Sequence, residues 1–253
     1  MIKGVFFDLY GTLLVYGDMT SAWKDWLAAF HRSFLRLGLK ESESEFALLC
    51  DGFFARTEPP FQHDGLTVLE RRIQEFALEL GVEVTTIELA EVASEMILAW
   101  QSHVTLDPEA IPVLEKLRDR FKTALITNFD HPPHVHTLLD HHNLVRLFDD
   151  IVISAEAGVS KPDPGIFDSA LKRTGLTQEA VAYVGDSIED DVAGALAAGL
   201  YPVHLHRIRE DGSTVDFDYR RSGNEGSGAE RQQAGIEGGC VIHRLSELLD
   251  LFG

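Results

Sequence analysis

The sequence predicts an α/β fold: a Rossmann-like parallel sheet core with an all-helical segment inserted after its first strand. Three observations carry this. The run Val5-Phe6-Phe7 is wholly apolar and ends on Asp8 and a Gly11-Thr12 turn, the pattern of a central parallel strand. From Leu14 to about His103, apolar residues recur only at helical spacing. From Asp107 onward, short apolar runs alternate with helical stretches, which implies βαβ units and right-handed crossovers.

The elements follow in order. In the insert, Ser21–Leu37, Ser44–Phe54, Val68–Leu80 and Thr86–Trp100 read as helices, with Gly38 and Gly81 as stops and Pro59-Pro60 as a break. After it come a helix over Pro108–Phe121, a strand over Thr123–Ile126, a helix over Pro133–His141 and a strand over Ile151–Ile153. A helix over Pro164–Thr174, a strand over Ala180–Val184, a helix over Asp190–Ala198 and a strand over Tyr201–Leu205 continue the alternation. Arg207–Gly239 is rich in Gly, Ser and charge and reads as a long surface excursion. Cys240–Ile242 and Leu245–Phe252 close the chain as an edge strand and a helix. The expected domains are a core of 1–14 and 104–253 and a helical cap of 15–103.

Composition narrows the function. The chain has 253 residues, 45% hydrophobic and 25% charged, as in an ordinary globular protein. A formal charge of −19 argues against nucleic acid or an anionic membrane as partner. It leaves room for a small phosphorylated molecule, because a site can be locally positive. Two distant cysteines, Cys50 and Cys240, a first strand that begins at once and no membrane-length apolar run point to a cytoplasmic protein with reduced thiols.

Four features fall at strand ends: Asp8 with its turn, Thr127-Asn128, Lys161 in Ser-Lys-Pro-Asp-Pro, and Gly185-Asp186-Ser187 followed by Asp190-Asp191. Each alone is an ordinary turn or cap. Together they would gather at the carboxyl edge of one parallel sheet, where such folds bind ligands. Asp8 is a possible nucleophile. Asp8 and Asp186 supply hard oxygens that suit Mg²⁺. Thr127 and the Asn128 amide can hold a phosphoryl oxygen, and Lys161 can screen Asp8 from an anionic substrate. In the insert, Trp23, Trp26 and Phe30 read as core. Arg56, His63, Arg71 and Arg72 could face a ligand, although the adjacent arginines are at least as easily read as solvated.

The set Asp8-Leu-Tyr-Gly-Thr-Leu, Thr127-Asn128, Lys161-Pro-Asp-Pro and Gly185-Asp-Ser-Ile-Glu-Asp-Asp resembles the haloacid dehalogenase-type hydrolase superfamily over the whole chain. The resemblance implies that Asp8 is the nucleophile, with Thr127 and Lys161 binding the transferring group. It further implies that Asp186 and the Tyr10 carbonyl hold Mg²⁺, and that Asp191, with Asp190 as its rival, orients the metal shell or Lys161.

One position departs from the superfamily's phosphatases, which usually carry a second Asp two residues after the nucleophile as acid and base. This chain has Tyr10, as the superfamily's metal-independent 2-haloacid dehalogenases do. Those enzymes, however, have a Ser-Ser-Asn-like fourth motif and a Tyr six residues after the lysine, where this chain has Asp186 and Phe167. Asp186 beside Asp8 makes sense only with a cation between them. The sequence therefore favours a Mg²⁺-dependent phosphatase over a dehalogenase or a non-catalytic binder of phosphorylated ligands.

Overall fold

The computed structural model describes residues 1–60, 63–208 and 238–253. The chain opens with β1 (Gly4–Phe7) and β2 (Leu14–Tyr16), then runs through α1 (Met19–Arg36), α2 (Glu43–Leu49), α3 (Val68–Glu79) and α4 (Thr86–Gln101). It continues through β3 (Val104–Leu106), α5 (Ala110–Arg118), β4 (Lys122–Thr127), α6 (Pro132–His141), β5 (Asp150–Ile153), α7 (Ser154–Ala157) and α8 (Gly165–Thr174). Last come β6 (Val181–Gly185), α9 (Ala193–Ala197), β7 (Tyr201–Leu205), β8 (Cys240–Ile242) and α10 (Glu247–Phe252). Two compact units result: Tyr16–Thr105, and Met1–Val15 together with the described residues from Leu106 on.

The second unit is an α/β sheet of six strands in the order β5-β4-β1-β6-β7-β8, every pairing parallel. β1 is buried along its whole length, which explains its unbroken apolar run. The strand order reverses at β1: β4 and β5 extend to one side of it, β6 to β8 to the other. Asp8 follows β1 directly and so stands at the switch point, where ligand crevices open in such sheets. On one sheet face Phe6, Ile126, Tyr183, Ile166 and Phe167 form a sealed cluster with Ala195 from α9.

The helical unit is set by short-range rules. Ser42 with Glu45, Thr67 with Glu70 and Thr85 with Glu88 form capping boxes at the starts of α2, α3 and α4, and Asp18 caps α1 by accepting from the Thr20 and Ser21 N–H groups. Phe30 lies at the centre of the unit's core, its ring 4.9–5.6 Å from those of Phe34, Phe46, Phe53 and Phe76. Trp26 is buried and stacks on the half-buried Trp23 at 4.5 Å, so Trp26 and Phe30 belong to the core and Trp23 lies at its edge.

Several expectations need correction. β2 and β3, at the two ends of the insert, pair as a two-stranded ribbon; three residues each is too short for strand alternation to register. The stretch expected as one helix over Ser44–Phe54 breaks at Gly52, which takes φ 68° and opens a 3₁₀ turn over Phe53–Ala55. The helix expected from Asp190 begins instead as a π turn, Ile188–Val192, before α9. α5 and α10 are shorter than their apolar patterns. Arg71 and Arg72 are not solvated: they are 4% and 8% exposed, Arg71 pairing with Asp64 and Arg72 donating to the Arg56 carbonyl. Arg56 pairs with Glu79 at 2.8 Å. Most of the excursion after Arg207 lies outside the described residues. Among the described residues, no helix is long and apolar enough to cross a membrane.

Candidate active site

Lys161 organises the site. It is 3% exposed, and its ammonium donates to Asp8 Oδ1 at 2.6 Å, Asp191 Oδ1 at 2.7 Å and the Tyr183 hydroxyl at 2.9 Å. The loop that delivers Lys161 is fastened to the end of β4 by a reciprocal clamp. Its backbone N–H donates to Asn128 Oδ1 at 2.9 Å, and Asn128 Nδ2 donates to its carbonyl at 3.0 Å. The Asn128 side chain thus places Lys161, a role its sequence position did not announce. Thr127 ends β4 and is buried.

Tyr183 was not legible as a site residue. It reads as one more apolar position of β6, yet its hydroxyl donates to the Ile126 carbonyl at 2.8 Å and is thereby turned to accept from Lys161. Phe167, six residues after Lys161, packs edge-on against the Tyr183 ring at 5.0 Å. A phenol does meet the lysine, but it comes from β6.

The π turn decides between the two adjacent acids. With Ser187 accepting from Asp190 N–H at 3.1 Å, the extra residue in the turn swings Asp191 inward, where it accepts from Ser187 N–H at 2.9 Å and from Lys161. Asp191 is the closer acid. Carboxylate oxygens of Asp8, Asp186 and Asp191 lie within 4.8 Å of one another.

Two glycines make this crowding possible. Gly11 takes φ 85°, and a Cβ there would overlap the Asp186 carboxylate; a Cβ at Gly185 would overlap Asp191. Thr12 Oγ1 also lies 3.4 Å from Asp186 Oδ1.

Three carboxylates against one ammonium leave excess negative charge in a buried place. Burial carries the Asp8 carboxyl up to about 7 even though Lys161 opposes the shift. Asp186, which keeps a partly exposed edge, is pushed well above the usual carboxylate range by burial and then by the charges of Asp191 and Asp8. Burial works against the Lys161 ammonium, but Asp191 and Asp8 outweigh it and hold it protonated. A hard divalent cation suits this donor set: oxygen ligands gathered without enough counter-charge, in a cradle that side chains at two positions would fill.

Tyr10 is buried and stacks on Phe129 at 5.1 Å and 14°, and Phe129 in turn lies against His134 at 5.7 Å. Burial, with Asp8 adding to it, pushes the Tyr10 phenol above its ordinary value. Burial and the nearby His131 bring the His134 imidazole down to about 4, so this histidine is neutral at neutral pH. His136 points elsewhere, to Glu156 at 2.9 Å, in keeping with its two-residue offset from His134. Among the described residues, the acidic trio is the one group of three or more His, Cys, Asp or Glu side chains placed so that it could hold a metal ion.

A haloacid dehalogenase-like hydrolase model matches residues 2–199, a span that contains every residue of this cluster. The chain belongs to the haloacid dehalogenase-like hydrolase family. It is a hydrolase whose curated relatives include the pyrimidine 5'-nucleotidase YjjG of Escherichia coli, 30% identical over 82% of this chain and 89% of that one. A glyceraldehyde 3-phosphate phosphatase of Methanopyrus kandleri is 35% identical over 45% of this chain, and the match spans about half (52%) of that relative's length. Among solved haloacid dehalogenase-like structures, a phosphatase from Thermococcus onnurineus superposes with a TM-score of 0.63 at 22% identity, over 100% of this chain and 98% of that one. A 2-haloacid dehalogenase from Pseudomonas syringae pv. Tomato does so at 0.61 and 23%, with the same coverage. The fold is common to both chemistries, so the choice between them rests on the site.

Proposed function

We propose that the chain is a Mg²⁺-dependent phosphatase of a small phosphorylated metabolite, working through an aspartyl-phosphate at Asp8. The observation that carries this reading is the convergence of Asp8, Asp186 and Asp191 within 4.8 Å around a single buried lysine. The phosphatase and nucleotidase relatives support the same class.

Asp8 attacks phosphorus, and the bond to the leaving oxygen breaks as the carboxyl–phosphate bond forms. Lys161 steadies Asp8 in its ionised form and offsets the charge of the incoming phosphoryl group. Thr127 binds a phosphoryl oxygen, while Asn128 places Lys161. Water then cleaves the aspartyl-phosphate and restores Asp8. Mg²⁺, held by Asp8, Asp186 and the Tyr10 carbonyl with Asp191 behind them, would neutralise the carboxylates and the transferring oxygens. Tyr10 is a weak acid and no base near neutrality, so aryl phosphates, whose leaving groups need little protonation, are expected to react faster than alkyl phosphates.

Tyr10 also favours the rival chemistry, since a halide leaves without a proton. One assay separates the two: phosphate release from 4-nitrophenyl phosphate with and without Mg²⁺, beside chloride release from 2-chloropropionate. Mg²⁺-dependent phosphate release is the expected result. Chloride release indifferent to metal, with no phosphate released, would overturn the proposal.

A further inference from the structure

We infer that His204 and Arg207, at the end of β7, are positioning residues that set the spacing between the Asp8 turn and Asp186, and through it the affinity of the site for its cation. The inference rests on the Mg²⁺ reading above and assigns residues in no motif of the sequence.

β7 pairs with β6 in a register that sets His204 opposite Gly185, one residue before Asp186. His204 is buried, and its Nε2 lies 3.0 Å from the Asp186 carbonyl. A carbonyl only accepts, so Nε2 carries the proton and donates it. The backbone that presents Asp186 is thus held from the neighbouring strand.

Arg207, three residues on, holds the other side. Its Nη2 donates to the Thr12 carbonyl at 2.6 Å and its Nε to the Gly11 carbonyl at 3.2 Å, while Nη1 pairs with Asp107 Oδ2 at 2.6 Å. The guanidinium is 14% exposed and Asp107 6%, so this is a desolvated fork on three acceptors, a task that suits arginine. Asp107 is itself held, its N–H donating to the Leu13 carbonyl at 2.9 Å.

The turn gripped by Arg207 is the one that cradles Asp186. Gly11 presents its bare Cα to the Asp186 carboxylate, and Thr12 Oγ1 reaches Asp186 Oδ1. Arg207 fixes the turn, His204 fixes the Asp186 backbone, and both hang from one strand end. Their relative placement sets the gap between the two carboxylates that would share a cation. Such outer partners commonly govern metal affinity by 10–100-fold.

The test is calorimetric titration of the purified full-length protein with MgCl₂, with the melting temperature recorded for each variant. Arg207→Ala and His204→Leu are each expected to raise the Mg²⁺ Kd by at least ~10-fold. The Mg²⁺ needed for half-maximal turnover should rise in step, with a smaller change in rate at saturating Mg²⁺. His204→Gln, which keeps an N–H donor, should recover most of the affinity, and Arg207→Lys should fall between wild type and Arg207→Ala. A merely structural role would lower the melting temperature and leave Kd alone. If Arg207→Ala fails to fold, Arg207→Lys decides: a wild-type Kd in it and in His204→Leu overturns the inference. If wild type binds Mg²⁺ and every variant binds it equally, only this inference falls. If wild type binds none, the Mg²⁺ reading falls and takes this one with it.

Discussion

The helical unit and the α/β unit of this chain are built at different sequence ranges. The helical unit starts its helices with contacts three residues apart: the Ser42, Thr67 and Thr85 boxes. The site in the α/β unit is assembled from residues 153 (Asp8 to Lys161), 174 (Thr12 to Asp186) and 195 (Thr12 to Arg207) positions apart. The core of the helical unit centres on aromatic packing, whereas the α/β unit adds to its apolar core a buried cluster of charge at the sheet edge. Burying Asp8, Asp191 and Lys161 together costs stability, and what is gained is a pre-set field for an anionic substrate. Mutations should therefore divide: in the α/β site they strike chemistry first, in the helical unit stability first.

The largest expected effect breaks this comparison most directly if it fails. Asp8→Asn should lower phosphate release by ~10⁴-fold or more, since the nucleophile is gone. It should also raise the melting temperature of the metal-free protein. The folded Asp8 carboxyl sits at about 7, above its unfolded value, so the folded state favours the protonated form. The stability attached to that group is complete below about pH 4 and is lost as pH rises through about 7. Melting curves in EDTA from pH 4 to 8 should show wild type falling away from Asp8→Asn as pH rises. Added Mg²⁺ at pH 8 should close the gap by stabilising wild type.

Next in size is Phe30→Ala, which removes the hub of the helical core. A loss of ~3–5 kcal/mol in urea-denaturation stability is expected. A variant that kept its stability but lost turnover as Asp8→Asn does would dissolve the contrast between the two units.

Gly11→Ala sharpens the comparison from the other side. Its Cβ would overlap Asp186 at a positive φ, so turnover and Mg²⁺ affinity should each fall ~10²-fold, with only a modest drop in melting temperature. Steady-state kinetics across a Mg²⁺ series would check it. The smallest effect is Thr67→Ala. Loss of one cap should cost ~1 kcal/mol of thermal stability and leave kcat unchanged, since the contact it removes is local.

Much of the candidate site was legible because most of its residues stand at strand ends. Asp8 and Asp186 directly follow β1 and β6, Thr127 closes β4, and a parallel sheet brings such ends to one edge; Lys161 comes later, on the loop beyond α7. The choice of Asp191 over Asp190 was not legible, because a π turn and an α turn present the same residues to different sides. Tyr183 was hidden by its period: in a buried strand a Tyr looks like any other apolar residue until its hydroxyl finds Ile126 and Lys161. The clamp that Asn128 makes on the Lys161 backbone was not legible either. A polar side chain at a strand end announces a hydrogen bond without naming the partner. The buried arginines misled for the opposite reason, since a charge is read as exposed until a partner such as Asp64 is in place.

The sequence by itself determined the fold class, the helical insert and the set of charges at the sheet edge. These follow from hydrophobic period, from glycine and proline punctuation and from chain order, all of which are local quantities. Only the tertiary structure decided which acid meets Lys161, which phenol accepts from it, and that His204 and Arg207 stand beside Asp186 and its turn. Those outcomes depend on strand register and on a one-residue change of helical pitch. Register and pitch bring together residues from 18 (Asp186 to His204) to 195 (Thr12 to Arg207) positions apart, and no local pattern encodes the distance that results.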